Sequence, residues 1–136
     1  MEKVGVLALQ GSFAEHLAIL RRMPGIEPIE VRTIAQLEAV DRLIIPGGES
    51  TAIGKLLRKT GMLPLLKKRI EEGLAVWGTC AGLILLAKRI VGEEPYLDAM
   101  DITVKRNAYG SQLDSFRCEQ IIPAISAKPI HLVFIR

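Results

Sequence analysis

Aromatic side chains are scarce in this sequence: three Phe, two Tyr and one Trp among 136 residues, against an apolar fraction of 49%. Any core must be built from aliphatic side chains, which suits an α/β protein with a buried parallel sheet. The net charge is only +3. Aromatics interleaved with basic residues, the mark of a nucleic-acid surface, do not occur. Basic residues are scattered or set on helices, and Lys67-Lys68-Arg69 reads as a solvated helix face. Two cysteines in dissimilar surroundings make no disulfide framework. No apolar run approaches the roughly 20 residues that span a bilayer. Val4–Leu9 is too short for a signal core and has no cleavage pattern, so a reduced, cytoplasmic compartment is expected. No His/Cys/Asp cluster has metal-ligand spacing, and no nucleotide fingerprint occurs, so neither a metal nor a cofactor is expected.

The length fits one domain able to bury a core. Val4–Leu9, Ile29–Val31, Arg42–Ile45 and Leu74–Trp77 read as short strands. They alternate with helices beginning near Ser12, Thr33, Thr51 and Leu63 and with a further helix over Leu83–Lys88. Ser12 with Glu15, and Thr33 with Gln36, have capping-box spacing. This alternation predicts a doubly wound, mostly parallel sheet of flavodoxin-like type. After Val91 the pattern changes. Ile102–Val104, Cys118–Ile122 and Ile130–Ile135 read as an antiparallel extension toward the C-terminus, with Pro123–Pro129 a surface loop.

Gly78-Thr79-Cys80-Ala81-Gly82 lies between an expected strand and an expected helix. It has the spacing of a G-x-nucleophile-x-G elbow with cysteine as nucleophile. By chance a cysteine has glycine at both −2 and +2 in about 0.5% of cases. Such a turn strains its central residue, holds the sulfur at a strand end and aims backbone N–H groups at a thiolate or an oxyanion. A buried cysteine in a tight turn has the same local pattern. Cys118 has no such surroundings.

The loop Pro46-Gly47-Gly48-Glu49-Ser50 also follows a strand. Its glycines expose N–H groups and admit a ligand, although a plain turn fits as well, and no P-loop lysine follows. Glu49 fits either a helix N-terminus or the ammonium group of an amino-acid substrate. Arg106 and Arg136 fit either a substrate carboxylate or solvated surface. Strand ends in such sheets converge on one ligand-binding rim, which would bring together Gln10, Gly47-Gly48 and Cys80.

Taken in order, Gln10-Gly11, Pro46-Gly47-Gly48-Glu49-Ser50-Thr51, Gly78-Thr79-Cys80-Ala81-Gly82, Arg106-Asn107-Ala108-Tyr109-Gly110, Asp114-Ser115-Phe116 and Val133-Phe134-Ile135-Arg136 carry a resemblance. The chain resembles the glutaminase subunits of the two-component pyridoxal 5′-phosphate synthases, a branch of the class I (triad) glutamine amidotransferases. The elbow fits any class I amidotransferase; the R-N-x-x-G, D-S-F and F-I-R segments are specific to the vitamin B6 branch. The similarity covers essentially every residue present.

The resemblance implies hydrolysis of L-glutamine to glutamate and ammonia through a thioester on Cys80. The ammonia would pass to a synthase subunit, the expected protein partner. Gly48 and Ala81 would form the oxyanion hole. Gly47, Gly48, Glu49, Ser50, Arg106, Ile135 and Arg136 match positions around glutamine, and Gln10 matches a position at the synthase interface. Pyridoxal phosphate would be the partner's product, not a cofactor of this subunit.

Two features depart from the family pattern. A thiol nucleophile needs a base oriented by a carboxylate. The family supplies both in a late His-Pro-Glu segment, which these 136 residues lack. His16 reads as a solvent-facing or subunit-contact residue and His131 as a structural strand residue. Ser111 stands where the family has arginine. The expectation is one amidotransferase-like domain over 1–136, truncated at its C-terminus. The alternative is a catalytically inactive glutamine- or partner-binding module.

Overall fold

The computed structural model describes residues 1–110 and 115–135. They fall into two compact units, divided after Val104. In the first unit, β1 (Glu2–Leu7), β2 (Ile26–Val31), β3 (Arg42–Ile45) and β4 (Ala75–Gly78) form a parallel sheet in the order β2-β1-β3-β4. The connecting helices are α1 (Phe13–Leu20), α2 (Ile34–Ala39), α3 (Ser50–Lys59) and α4 (Met62–Glu71), and α5 (Ala81–Leu86) follows β4.

Both faces of the sheet are buried along β1 and β3, which is why those strands read as continuous apolar runs, whereas β4 is buried less. Val4, Val6 and Ile44 pack with Leu17 and Leu20 of α1. The alternate residues Leu7, Leu43 and Ile45 pack with Leu37, Ile53, Leu57, Leu66 and Leu85 from the remaining helices. Each fully buried aliphatic side chain contributes about 1.5–3 kcal/mol. Pro28 lies in β2, an edge strand, where a missing N–H is tolerated.

Several local expectations are corrected. Thr33 and Gln36 form their capping box, but Ser12 makes no side-chain cap, so the box with Glu15 is absent. The Ser12 backbone is instead held against a neighbouring loop, its N–H donating to the Gly47 carbonyl at 2.8 Å. The helix expected to reach Lys88 stops at Leu86, and β5 (Ala87–Ile90) begins at once. The carbonyls of Leu85 and Leu86 accept from the N–H groups of Leu97 and Ala99, so they are not available to a further helical turn. Ile102–Val104 belongs to β6 (Met100–Val104), which pairs parallel to β5 rather than joining an antiparallel extension. Arg69 is not part of a solvated face: it is half-buried and donates to the carbonyls of Leu37 and Val40 at 2.6 and 2.9 Å, at the end of α2.

The antiparallel pairing expected toward the C-terminus is present in the second unit. There β7 (Phe116–Gln120) and β8 (Ile130–Phe134) form a two-stranded sheet with Cys118 opposite Leu132. Phe116 stacks on Phe134, with centroids 4.7 Å apart, and Tyr109 meets both rings edge-on.

Candidate active site

The elbow is built by backbone bonds. Thr79 N–H donates to the Ile45 carbonyl of β3 at 3.0 Å, and Gly82 N–H turns back to the Thr79 carbonyl at 2.9 Å. Between them Cys80 is forced to φ 50°, ψ −109°. Such a conformation costs a non-glycine residue about 1–3 kcal/mol. The flanking glycines permit it. A Cβ on Gly82 would fall 2.1 Å from the Ile45 carbonyl oxygen, and one on Gly78 would fall 2.5 Å from the Gly82 carbonyl carbon. The thiol this turn presents is exposed. Ala81 opens α5, so its N–H has no partner within the helix.

The diglycine loop lies beside the Cys80 Cβ. A Cβ on Gly47 would be 3.3 Å from the Cys80 Cβ. The loop is held from the side of β1. Ser12 fixes the Gly47 carbonyl, as described above, and Gln10 Oε1 accepts from Glu49 N–H at 2.9 Å. A Cβ on Gly48 would sit 2.9 Å from the Gly11 Cα as well as 2.5 Å from that Gln10 oxygen, and it is the backbone approach that favours glycine. Glu49 caps α3, accepting from Thr51 and Ala52 N–H at 3.1 and 2.7 Å. Ser50 is only 2% exposed, and its Oγ has no hydrogen-bond partner among the described residues.

Gln10, Gly47, Gly48, Glu49, Ser50, Cys80 and Ala81 thus gather at the carboxyl ends of β1, β3 and β4. Chain order reverses between β1 and β3, the place where open α/β sheets bind ligands. Arg106 and Ile135 belong to the second unit. Arg136, Ser111 and Asp114 lie outside the described residues.

The sequence reads His16 as facing solvent or a subunit contact, and the solvent-facing half of that reading is corrected. The residue is half-buried, and its Nε2 shares a 3.1 Å hydrogen bond with Thr79 Oγ1. The signal was present: Phe13, His16, Leu17 and Leu20 have the i, i+3, i+4, i+7 spacing of an inward stripe. Among the described residues of the first unit, His16 is not hydrogen-bonded to Cys80; His131 is in β8, in the second unit. A groove of about 300 Å³ beside β4 is lined by Val4, Leu20, Ile44, Val76 and Trp77 among others, and includes no residue of the elbow or the diglycine loop. Among the described residues no three His, Cys, Asp or Glu gather to hold a metal ion, and no helix is long and apolar enough to cross a membrane.

Residues 6–136 match the model of the SNO glutamine amidotransferase family. The chain is 58% identical over 137 aligned residues to "Pyridoxal 5'-phosphate synthase subunit PdxT" of Chloroflexus aurantiacus, covering 98% of this chain and 72% of that protein. It is 54% identical to the protein of the same name from Clostridium botulinum, covering 100% and 71%. A solved structure described as a glutamine amidotransferase superposes with a TM-score of 0.86 at 51% identity, covering 97% of this chain and 70% of that one.

Proposed function

The chain belongs to the SNO glutamine amidotransferase family, and on that premise we propose that it hydrolyses L-glutamine through a thioester on Cys80 and supplies ammonia to a pyridoxal 5′-phosphate synthase subunit. The observation that carries the reading is an exposed cysteine at positive φ whose Cβ lies beside a diglycine loop.

The Cys80 sulfur adds to the side-chain carbonyl carbon of glutamine, and the carbonyl electron pair moves to oxygen. The Ala81 and Gly48 N–H groups receive that oxyanion, each such donor contributing about 10²–10³ in rate. Collapse re-forms the carbonyl and breaks the C–N bond, and the nitrogen leaves as ammonia once protonated. Water then adds to the thioester carbon, releasing glutamate and returning the thiol. A base must take the thiol proton and protonate the leaving nitrogen. The family's His-Pro-Glu segment would do this, and it is not among these 136 residues.

In this reading Glu49 meets the substrate ammonium group, a role supported by its carboxylate being held at the start of α3 by the N–H groups of Thr51 and Ala52. Arg106, Ile135 and Arg136 complete the glutamine site in this proposal, with Gly47 and Ser50 beside Glu49 and with Gln10 at the synthase contact. Residues 1–136 act as one amidotransferase-like domain, a reading supported by the family match over 6–136. A reducing cytoplasm suits a chain whose two cysteines are both free.

The test is ammonia release from glutamine by the full protein, with and without its synthase subunit, for wild type and Cys80→Ser. Wild type should release ammonia, while the variant should release none and keep its fold. Substantial release by the variant refutes the assigned nucleophile. An inert wild type in the presence of the synthase subunit supports the binding-module alternative.

A further inference from the structure

We propose that His16 is a positioning residue for the Cys80 nucleophile, acting through Thr79. Its kinetic consequence rests on the glutaminase reading above; its structural consequence does not.

His16 meets the elbow and the strand that leads into it. Its Nε2 shares the 3.1 Å bond with Thr79 Oγ1, immediately before the nucleophile. Its ring also meets Trp77 edge-on at 6.2 Å, three residues before the nucleophile. A half-buried imidazole on an otherwise apolar stripe needs a polar partner, and Thr79 supplies one. The Thr79 backbone is already tied to β3 through Ile45. The side-chain bond ties the same residue to α1 on the other side. Cys80, held at positive φ, keeps that conformation only while its neighbours are fixed.

The same short segment also grips the other half of the site. Gln10 holds the Glu49 N–H, and Ser12 holds the Gly47 carbonyl. Residues 10, 12 and 16 therefore register the diglycine loop and the thiol against one common element. His16 accomplishes this without touching the reacting atoms: its Nε2 is engaged by Thr79 rather than by the sulfur.

The experiment uses the full protein with its synthase subunit and the variants His16→Leu, His16→Gln, Thr79→Val and the His16→Leu/Thr79→Val double. Four quantities are read: kcat and KM for glutamine, the rate of Cys80 alkylation by iodoacetamide mapped by peptide mass, and Tm. His16→Leu and Thr79→Val should each lower kcat about tenfold, as a displaced reacting group does. KM should stay within about twofold, because the lost interaction is not a substrate contact. Alkylation of Cys80 should change in both variants. The double variant should be no worse than either single, because the two side chains share one bond. His16→Gln, which can offer an amide to Thr79, should restore most of kcat.

Wild-type kcat and alkylation in His16→Leu overturn the proposal, as do additive effects in the double. A defect confined to affinity for the synthase subunit, with alkylation unchanged, also overturns it and makes His16 a subunit contact. Should His16→Leu fail to fold, Thr79→Val and His16→Gln decide the matter by the same readouts. Absence of glutamine turnover in wild type refutes the glutaminase reading, and the alkylation comparison still decides the positioning role.

Discussion

Replacing Gly82 with alanine adds a single methyl group where the elbow has no room for it. The new Cβ would stand 2.1 Å from the Ile45 carbonyl oxygen and 2.9 Å from its carbon, where ordinary contact begins near 3.4 Å. Ile45 is fully buried backbone in β3 and cannot swing aside. The start of α5 must therefore lift from the sheet by about 1.3 Å. Overpacking of this kind costs about 1–3 kcal/mol, against up to about 1 kcal/mol gained from alanine's better helix propensity. A net cost of about 1–2 kcal/mol, at about 3–5 °C per kcal/mol for a chain of this size, should lower Tm by roughly 3–10 °C. Turnover should suffer more, because a displacement of about 1 Å can cost about 10²-fold. The control is Gly92→Ala. There φ is +78° and nothing lies within 4 Å of the added methyl, so only backbone strain of about 1–2 kcal/mol is incurred and glutamine turnover is unaffected. Thermal melts and ammonia release measure both. A Gly82→Ala protein with wild-type Tm and kcat, or a Gly92→Ala protein equally inactive, would refute the close-packing argument.

Further outcomes are expected elsewhere. Glu49→Ser keeps an oxygen able to cap α3 but loses the reach toward a substrate ammonium, so KM for glutamine should rise while Tm changes little. An unchanged KM removes Glu49 from the site. Thr33→Ala deletes the capping box of α2 and should cost about 1 kcal/mol with no effect on turnover, read from denaturant unfolding. The Arg89 guanidinium, hydrogen-bonded to Asp101 at 2.8 Å, holds that carboxyl below its usual 3.8, with the charges of Arg89 and Lys88 adding to the effect. Its small contribution is therefore present above the usual value and lost as pH falls through the lowered one. Asp101→Asn should melt slightly below wild type at neutral pH and alongside it in strong acid, and a gap that persists in acid would contradict this.

The parallel sheet was legible because burial on both faces leaves an uninterrupted apolar signature, as in Val4–Leu9 and Arg42–Ile45. The elbow was legible because its steric demand falls on two glycines at fixed spacing around one thiol. What escaped were features settled by distant partners. Ser12 and Thr33 have the same local capping pattern, yet only Thr33 uses it, because Gly47 claims the Ser12 N–H from 35 residues away in sequence. The end of α5 depends on donors from Leu97 and Ala99, which nothing in Leu83–Lys88 announces. Arg69 reads as one of three basic residues in a row until the ends of α2 and α4 are brought together. For His16 the stripe was there to be read, and the polarity of imidazole obscured it.

The sheet's two margins differ in what they invite. At β2, Pro28 leaves the outer strand one donor short, so an incoming chain would find a defective template for pairing. At β4 there is no proline, and Trp77 leaves 62% of its surface in solvent. Of the two outer strands among the described residues, the one that leads to the nucleophile therefore keeps every backbone donor.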